Sequence, residues 1–574
     1  YPLICPSRHP DQWDNRRPAA LEGLLAPIDG RGLDAPAAGA LLPFVPTDST
    51  GYKALLPIVV IKDRAASDGL GSWADIVELD ATVPGAGLWR STEAQGLLHL
   101  GAALPTQYDG QCASEIGFVQ PPQIFDFSLV YGATGLEGDA VTFVEYEYYA
   151  IWEWRDAAGN LHRSRRSAPY LMQVSHSGAD THANATLYVR TTGLTRRTDI
   201  FTGEKRDIRL KLFRTTPTDA NDGNHYQIAW ASNVNVPNPA YVTVADTEDD
   251  LTLIAANRGQ LYTDGGIVDN DTPPAAKHFC VHGGRVWLVS AEAREVWFSK
   301  YLVQGEAPAF SALMRITLDD SPDAPVACAP LGASLAILTE SRIYVLPVNA
   351  GPADTAVPAY PPPDAIQTSW GCIDARSVLS YRDGVAFQSR DGLRLLTPGG
   401  DVVPFGDPVH ETLAAYPTIL GAVLDSERMR VLWLCSAEDG ATIVICWDYD
   451  HEAWSTWSWD ASLALTARAH CMWQGQHVLA AEATSIKGVW CESYGSYPGF
   501  DPGPTLPTWV TATIETPWIH LGAIGGYQRL WRLHLQLEKN SAHGLAVSFF
   551  VDGDDTTAVQ TETWTVSQVG AFVT

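Results

Sequence analysis

Short strand-like segments joined by tight turns recur along the second half of the chain. From Ala276 onward, apolar segments alternate with Gly, Asp or Asn turns, as in FCVHGGRVWLVS followed by REVWFSK, and in SVLSYRDGVAFQS followed by GLRLL. These units recur roughly every 40–55 residues, a period typical of the small sheets that form β-propeller blades. One such sheet cannot cover both of its own faces, so the units must pack against each other. The pattern therefore predicts an all-β fold built around a β-propeller.

The first half of the chain has a different pattern, with longer β-branched and aromatic segments, and this pattern predicts a separate β-sandwich. Residues 141–154 read VTFVEYEYYAIWEW, a β-branched and aromatic run that favours a long strand. Asp156 to Asn160 then supply a hairpin turn. Further strand segments follow as ATLYVR, IRLKLFRT, YQIAWA and YVTVAD. We therefore predict an inserted immunoglobulin- or fibronectin-like β-sandwich at 137–255.

The flanking segments complete the predicted division into domains. Residues 1–50 are rich in Pro, Gly and Ala, and alternating segments begin only after Tyr52. We therefore predict that 1–136 form an N-terminal arm and the first part of the propeller. Residues 256–505 form the main propeller blades in this prediction. The alternating segments near the C-terminus predict closing strands within 506–574.

Composition and charge exclude several classes of protein. The 574 residues include 20 Trp, 21 Tyr and 16 Phe, enough aromatic surface to exclude a disordered chain. The formal net charge of −28 repels nucleic acid and anionic membranes, which argues against general DNA binding. The sequence has no run of 18 apolar residues, so no transmembrane helix is predicted.

The cysteines predict neither a disulfide framework nor a zinc site. The chain has 9 of them, widely spaced and without a C-x-x-C motif. Several lie in apolar strand segments, such as Cys435 in VLWLC and Cys446 in IVICW. We therefore expect buried thiols and assembly in a reducing cytoplasm.

One basic stretch interrupts the acidic chain. Residues 151–214 carry a net charge of about +6. One interpretation is a solvated sheet face balanced by acidic neighbours; the other is a docking patch for an acidic partner, including another copy of this chain. The candidate subunit-docking residues are Arg163, Arg165, Arg166, Arg196, Arg197, Lys205 and Arg206.

No catalytic motif emerges from the sequence. H-E-x-x-H, G-x-S-x-G and P-loop patterns are absent, and with 66 acidic residues a pair of carboxylates carries no information. We therefore predict no catalytic residues, no metal site, no cofactor and no enzyme activity. Trp454, Trp457 and Trp459 could stack on sugars, but packing between blades is the simpler interpretation.

Several residues have predicted structural roles instead. We place Trp287 and Trp297 in a blade core because they lie in apolar strand segments. Blade turns are predicted where Gly and Asp follow apolar segments. These turn residues are Gly283, Gly284, Asp383, Gly384, Asp391 and Gly392.

The order of several segments along the chain resembles a family of phage structural proteins. HGGRVWLV at 282–289 precedes VWFSK at 296–300, LGASLAILTESRIYVL at 331–346 and SWGCIDARSVLSYRDGVAFQSRDGLRLL at 369–396. GLLHLGAALPTQYDGQCASEIGFVQPP at 96–122, YEYYAIWEWRDAAGNLHRS at 146–164 and YQRLWRLHLQLE at 527–538 extend the pattern. In this order they resemble the packaged-DNA stabilisation and tail nozzle proteins, also called tubular tail proteins, of short-tailed bacteriophages.

The resemblance implies a structural role in a virion. The family forms a homo-hexameric ring below the tail adaptor, which retains packaged double-stranded DNA and conducts it during ejection without sequence-specific binding. Implied partners are the adaptor and tail fibre or tailspike proteins, with no membrane anchor, and the tail is assembled in the host cytoplasm. An acidic lumen would let DNA slide, because phosphate contacts are what hold DNA. The basic patch would meet an acidic face of the next subunit in the ring.

Two alternative functions stay open at this point. The chain could be a receptor- or glycan-binding tail protein, which would be retained on a glycan column. It could also be a propeller carbohydrate-active enzyme, which would release product and lose activity when one or two carboxylates are changed.

Overall fold

Strands dominate the part of the chain that the structure describes. The computed structural model describes residues 58–64, 73–80, 91–101, 105–109, 113–118, 120–138, 143–175, 180–191, 208–217, 224–231, 241–291, 293–318, 320–348, 351–355, 360–366, 369–458, 466–473, 475–482, 487–491, 545–551 and 557–564. Across these ranges the chain forms many small antiparallel sheets and only short helical turns, so the all-β prediction is confirmed. The chain divides into two compact units, Tyr1–Cys491 and Glu492–Thr574.

The first elements described in the first unit are a hairpin and a four-stranded sheet. The hairpin pairs β1 (Ile58–Arg64) with β2 (Trp73–Asp80). The following sheet, here sheet A, is a meander in chain order. Its strands are β3 (Ser91–Ala94), β4 (Leu97–Leu100), β5 (Thr106–Tyr108) and β6 (Ala113–Glu115).

A β-sandwich of two sheets follows sheet A. One sheet has the order β15-β12-β7, with β8 also pairing β12; the other has the order β10-β9-β13-β14, with β11 also pairing β9. The bounds are β7 (Gln123–Gly132), β8 (Leu136–Glu137), β9 (Val144–Arg155), β10 (Leu161–Arg163), β11 (Tyr170–Val174), β12 (His182–Arg190), β13 (Arg209–Arg214), β14 (Tyr226–Ala231) and β15 (Tyr241–Asp246). The short helix α1 (Asp250–Ala255) closes the segment, with the Asp249 side chain accepting from the Thr252 N–H at its start.

The sandwich exists because its strands alternate between apolar and polar residues. Along β12 every second side chain is buried, so one face of the strand meets the opposite sheet. Leu187 and Val189 of β12 share one core with Tyr146 and Trp152 of β9. The strand β7, which begins at Gln123, lies ahead of the predicted boundary at 137 and belongs to this sandwich.

Among the described residues of the first unit, five further sheets, B to F, follow the sandwich, each a meander in chain order. Sheet B comprises β16 (Ala276–His282), β17 (Arg285–Ser290), β18 (Glu295–Ser299) and β19 (Phe310–Thr317); sheet C comprises β20 (Pro325–Leu331), β21 (Ser334–Thr339), β22 (Ile343–Pro347) and β23 (Asp364–Ile366). Sheet D comprises β24 (Leu379–Tyr381), β25 (Gly384–Ser389), β26 (Gly392–Leu396) and β27 (Val402–Pro404); sheet E comprises β28 (Thr418–Asp425), β29 (Arg430–Ser436), β30 (Thr442–Asp448) and β31 (Ala453–Ser458). Sheet F comprises β32 (Thr466–Trp473), β33 (Gln476–Glu482) and β34 (Lys487–Cys491). The helix α2 (His410–Ala415) and the 3-10 turns Ala375–Ser377 and Asp407–Val409 connect strands in this region.

Consecutive sheets pack together through their first strands. The strand β16 contacts both β3 of sheet A and β20 of sheet C, and the series continues through β24 and β28 to β32. Sheets A and B share a core in which Ala94 and Ile116 meet Phe279 and Leu288. The sandwich is therefore inserted between two sheets that pack directly against each other.

The tryptophans form much of the packing between these sheets. Trp287 is fully buried and Trp297 is nearly so. Trp454 of β31 stacks on Trp433 at 5.8 Å between ring centroids and lies 5.4 Å from Phe405, in a core shared by sheets D and E. Trp457 likewise packs in the core shared by sheets E and F, whereas Trp459 lies outside the described residues. Packing is therefore the role of Trp454 and Trp457 in this fold.

Among the cysteines whose side chains the structure describes, five agree with the sequence prediction and one does not. Cys280, Cys328, Cys372, Cys435 and Cys446 are free and buried, as predicted. Cys471 is instead disulfide-bonded, so the prediction of a free thiol is wrong there.

The second unit is described only by a hairpin. The strand β35 (Leu545–Phe549) pairs with β36 (Gln560–Trp564) in antiparallel register. Both strands fall within the segment 506–574, where closing strands were predicted.

Candidate functional site

The predicted docking arginines lie where the sandwich meets sheet B. Arg163 ends β10, and Arg165 and Arg166 follow after Ser164. Arg196, Arg197, Lys205 and Arg206 lie outside the described residues. We call residues 156–166, from the β9–β10 turn through these arginines, the junction segment.

Two serines hold the arginines in place. The Ser164 N–H donates to the Trp152 carbonyl at 2.9 Å, and the Trp152 N–H donates to the Ser164 hydroxyl at 2.9 Å. Ser167 forms the same reciprocal pair with Ala150, at 2.9 and 3.0 Å. These serines extend the pairing along β9 beyond the end of β10, so the intervening arginine side chains are directed away from the sandwich core.

Each described arginine of the patch pairs with a carboxylate of the same chain. Arg163 Nη1 lies 2.8 Å from Glu306 Oε1. Arg165 Nη1 lies 3.3 Å from Asp271 Oδ1. Arg166 Nε lies 3.0 Å from Asp269 Oδ2. Glu306 belongs to the β18–β19 connection and the two aspartates lie just before β16, so these pairs link the sandwich to sheet B.

Backbone hydrogen bonds reinforce the same contact. The Leu161 N–H donates to the Gly305 carbonyl at 2.8 Å, and the Ala307 N–H donates to the Leu161 carbonyl at 3.1 Å. The Tyr262 hydroxyl donates to the Ser164 carbonyl at 3.0 Å. The Asn270 amide donates to the Arg163 carbonyl at 3.0 Å. Because backbone groups carry much of this interface, it fixes orientation as well as charge.

A buried lysine completes the contact on the side of sheet B. Lys300 Nζ donates to Asn270 Oδ1 at 2.7 Å and to the Val268 carbonyl, and it lies 5.0 Å from the centre of the Tyr262 ring. Burial lowers the pKa of Lys300 to about 8, although nearby carboxylates oppose the shift. Its ammonium holds the segment that carries Asp269 and Asp271.

The other side of the junction segment is bound to sheet A. His162 Nδ1 lies 3.1 Å from Gln107 Nε2, and His162 Nε2 lies 2.9 Å from Asp156 Oδ2. The Asn160 amide donates to the Gln95 carbonyl at 2.9 Å. The junction segment therefore lies between sheets A and B, with hydrogen bonds to sheet A and with hydrogen bonds and ion pairs to the sheet B side.

The Asp156–His162 pair resembles a catalytic dyad but has a structural geometry. Burial alone would raise the pKa of Asp156, but hydrogen bonds from His162 and Asn160 lower it below its ordinary value. An ionised Asp156 makes His162 Nε2 the donor, which leaves Nδ1 to accept from Gln107. Both ring nitrogens are thus engaged, and the ring is stacked on Trp154 at 4.4 Å. The pair is suited to orienting the β9–β10 hairpin and has no nitrogen left to act as a base.

The three paired arginines differ in how much of each side chain is exposed. Within the described part of the patch, Arg165 keeps the largest exposed fraction, 57% of its side chain, compared with 29% for Arg163 and 37% for Arg166. Arg165 is therefore the described arginine best placed to reach a second molecule. Docking of another subunit by this patch stays a prediction.

The predicted turn residues lie between adjacent strands of sheets B and D. Gly283 and Gly284 form the two-residue connection of β16 to β17, with φ values of 58° and 72° that glycine adopts without strain. Asp383 lies in the turn before β25, which starts at Gly384, and Asp391 lies in the turn before β26, which starts at Gly392. The sequence placed these residues through their spacing between apolar segments.

No pattern in the sequence indicates the partners of the arginines. Asp269 lies 103 positions from Arg166, and Glu306 lies 143 positions from Arg163. Across the ranges that the structure describes, no group of three or more His, Cys, Asp or Glu could hold a metal ion. No helix among these residues is long and apolar enough to span a membrane.

Comparisons with known proteins leave the family of this chain unassigned. No family model matches it, and no curated protein matches it. Among solved structures, it is similar to the extracellular domain of a hybrid two-component system from B. thetaiotaomicron, with 11% identity over 73% of this chain and a TM-score of 0.28. The match covers 40% of the length of that structure's chain. A similarity of this size carries no argument about fold or function, so the phage-family resemblance stays a prediction.

Proposed function

We propose that this chain is a structural component of a bacteriophage tail, a subunit of a ring that retains packaged DNA and conducts it during ejection. The observation that carries the proposal is the junction segment, which is bonded to sheet A on one side and to sheet B on the other. Such a double attachment keeps an inserted domain in a fixed orientation. A subunit that must hold its shape while DNA passes requires that property.

The sheets A to F support a β-propeller as the body of this subunit. Small antiparallel sheets that follow each other in sequence and pack through their first strands are the building units of a propeller. In this proposal they surround an axis and the immunoglobulin-like sandwich projects from them. The acidic balance of the chain keeps DNA from adhering to the ring.

The proposed partners are six copies of this chain, the tail adaptor, and tail fibre or tailspike proteins. In the ring, Arg165 faces an acidic surface of the neighbouring subunit. The Arg165 side chain in the ion pair with Asp271 is 57% exposed, and exposed ion pairs contribute little to stability. The chain therefore loses little free energy when Arg165 leaves Asp271 for a carboxylate of the neighbouring subunit.

The test is the mass of the purified chain in solution across a concentration series, alone and mixed with adaptor rings. We expect a ring of about six subunits, or incorporation only with the adaptor. Arg165→Glu should weaken assembly roughly tenfold, which corresponds to about 1.4 kcal/mol. Arg382→Glu is the matched control, because Arg382 is 59% exposed and also paired with a neighbouring aspartate. A chain that stays monomeric with the adaptor present would refute the proposal.

One further observation favours a second candidate, a receptor- or glycan-binding tail protein. Phe125, Tyr188 and Tyr241 cluster on one sandwich sheet, with ring centroids 5.7–6.3 Å apart, and Tyr241 is 48% exposed. The Arg190 guanidinium lies 4.9 Å from the Phe125 ring centre. An exposed tyrosine ring with two half-buried aromatic neighbours and a guanidinium nearby can stack on sugars.

Glycan retention distinguishes this candidate from the ring. If the chain binds glycans, the wild type should be retained on a column of host-surface glycan, and the variant Tyr241→Ala should pass through it. Leu171→Ala serves as the control, because Leu171 is 64% exposed on the other sandwich sheet. Equal retention of both variants would remove the aromatic cluster from consideration.

A further inference from the structure

Two buried thiols meet where sheet B packs against sheet C. Cys280 lies on β16 and Cys328 on β20, the first strands of the two sheets. Their sulfur atoms are 3.3 Å apart, whereas a disulfide bond is about 2.0 Å long. Forming the bond would bring the two sulfur atoms roughly 1.3 Å closer together.

This contact differs from those of two other buried thiols. The Cys372 thiol lies 3.2 Å from the Asp374 carbonyl oxygen, and the Cys435 thiol lies 3.7 Å from the Trp433 carbonyl oxygen. Each of these sulfurs therefore has a carbonyl oxygen within hydrogen-bonding reach. Cys280 and Cys328 instead contact each other across the boundary between two sheets.

A histidine lies on the same strand face as Cys280. His278 precedes Cys280 by two positions on β16, so both side chains point to the same side of the strand. His278 Nδ1 lies 3.8 Å from Cys328 Sγ. An imidazole at this position can accept the thiol proton of Cys328 when the sulfur is needed as a nucleophile.

The two cysteine residues are both buried but differ slightly in exposure. Both thiols belong to one apolar core with Trp287 and Leu335. Cys280 keeps 8% of its surface exposed, whereas Cys328 is fully buried. Burial raises the pKa of Cys280, so its thiol stays protonated at neutral pH and reacts slowly without a base nearby. A small oxidant would therefore reach Cys280 first.

We propose that Cys280 and Cys328 are a redox modification site, at which a peroxide converts the two thiols into a disulfide that joins sheet B to sheet C. In the first step, the Cys280 thiol and hydrogen peroxide give a sulfenic acid and one water. In the second, His278 accepts the proton of Cys328, and the Cys328 sulfur attacks the Cys280 sulfur. Hydroxide leaves, takes the proton from His278 and becomes a second water. The two thiols are oxidised by two electrons, and the peroxide is reduced.

The disulfide would connect residues 48 positions apart in sequence. A cross-link between the first strands of neighbouring sheets would oppose separation of sheets B and C. A thiol reductant would reverse it. The inference does not depend on the proposed tail function, because it rests only on the packing of β16 against β20.

The test uses the full chain treated with hydrogen peroxide. Remaining thiols are alkylated under unfolding conditions, and the protein is digested without reduction and examined by mass spectrometry. Beside the linkage of Cys471, which is present before treatment, we expect a new linked pair of peptides containing Cys280 and Cys328, lighter by two hydrogens than the free peptides and lost after a thiol reductant. Cys435→Ala should leave this product unchanged, and Cys328→Ala should abolish it.

Two results would overturn the inference. Peroxide treatment that leaves both thiols fully alkylated would exclude the site, and so would oxidation of Cys280 to a sulfinic acid without a linked product. His278→Gln tests the proposed base: the conversion of the Cys280 sulfenic acid into the disulfide, followed after peroxide is removed, should be roughly tenfold slower or more, with an unchanged final extent. An unchanged rate in that variant would refute the role of His278 in the second step.

Discussion

Acidification should weaken the contact between sheets A and B through His99. His99 lies on β4 and is fully buried, with its ring 6.3 Å from the Phe279 ring of β16. Burial lowers the pKa of His99 to about 4, and an interaction with the Ala94 backbone opposes this to a smaller extent. The folded protein therefore keeps this ring neutral at a pH at which an unfolded chain would protonate it.

The size and sign of the effect follow from these two pKa values. In the unfolded chain a histidine titrates near its ordinary value of 6.5. Between pH 6.5 and about 4 the unfolded state therefore binds a proton that the folded state does not, so stability is complete above this window and is lost as the pH falls through it. Lowering the pH from about 7.5 to about 4.5 should cost about 2–3 kcal/mol, or roughly 30- to 150-fold in the local opening equilibrium.

Hydrogen exchange of peptides from 91–101, corrected for the intrinsic rate at each pH, measures this loss locally. The variant His99→Gln cannot titrate, so its protection in sheet A should change far less between the two pH values. The pKa of His477 in sheet F is also lowered to about 4, chiefly by burial, and His477→Gln should leave the response of sheet A intact. Equal pH dependence of the wild type and His99→Gln in sheet A would refute the reasoning.

Three further substitutions test the packing, each by its effect on the free energy of unfolding in denaturant. Gly384→Ala should cost more than about 3 kcal/mol, because Gly384 has a φ of 147° and an added Cβ would lie 2.0 Å from the Leu396 carbonyl oxygen. Gly440→Ala is the control and should cost about 1 kcal/mol, because Gly440 has a φ of 88° but open space around it. Arg214→Met should cost about 3–5 kcal/mol, because it leaves Asp246 buried without the guanidinium now 2.8 Å away, and Asp246→Asn in the same chain should recover part of that loss. Trp287→Ala should cost about 3–5 kcal/mol through the cavity it leaves, and a change below 1 kcal/mol would contradict its place in the core of sheet B.

The sequence predicted local features well because each depends on neighbouring residues. The Gly283–Gly284 pair between two apolar segments specifies a tight connection by itself, and the alternation in HANATLYVR specifies which face of β12 is buried. These patterns were sufficient to predict an all-β chain.

The remaining features depend on residues far apart in the sequence. The partner of Arg166 lies more than a hundred positions away, and no pattern around the arginine indicates which of the many carboxylates it meets. The same holds for Cys280 and Cys328, whose contact is set by the packing of two strands that do not pair with each other. The sequence therefore indicated a basic patch, but it could not show that Arg163, Arg165 and Arg166 are paired with carboxylates of the same chain.

The insertion of the sandwich also constrains the order in which this protein can fold. The sandwich buries its own core among strands that are close in sequence, so it can form early. Ala94 and Ile116 of sheet A reach their partners on sheet B only after the whole sandwich has been synthesised. Contacts of such high sequence separation close slowly, and until they do the apolar face of sheet A is open to other chains. We therefore expect the apolar residues of sheet A to stay exposed until sheet B has been synthesised.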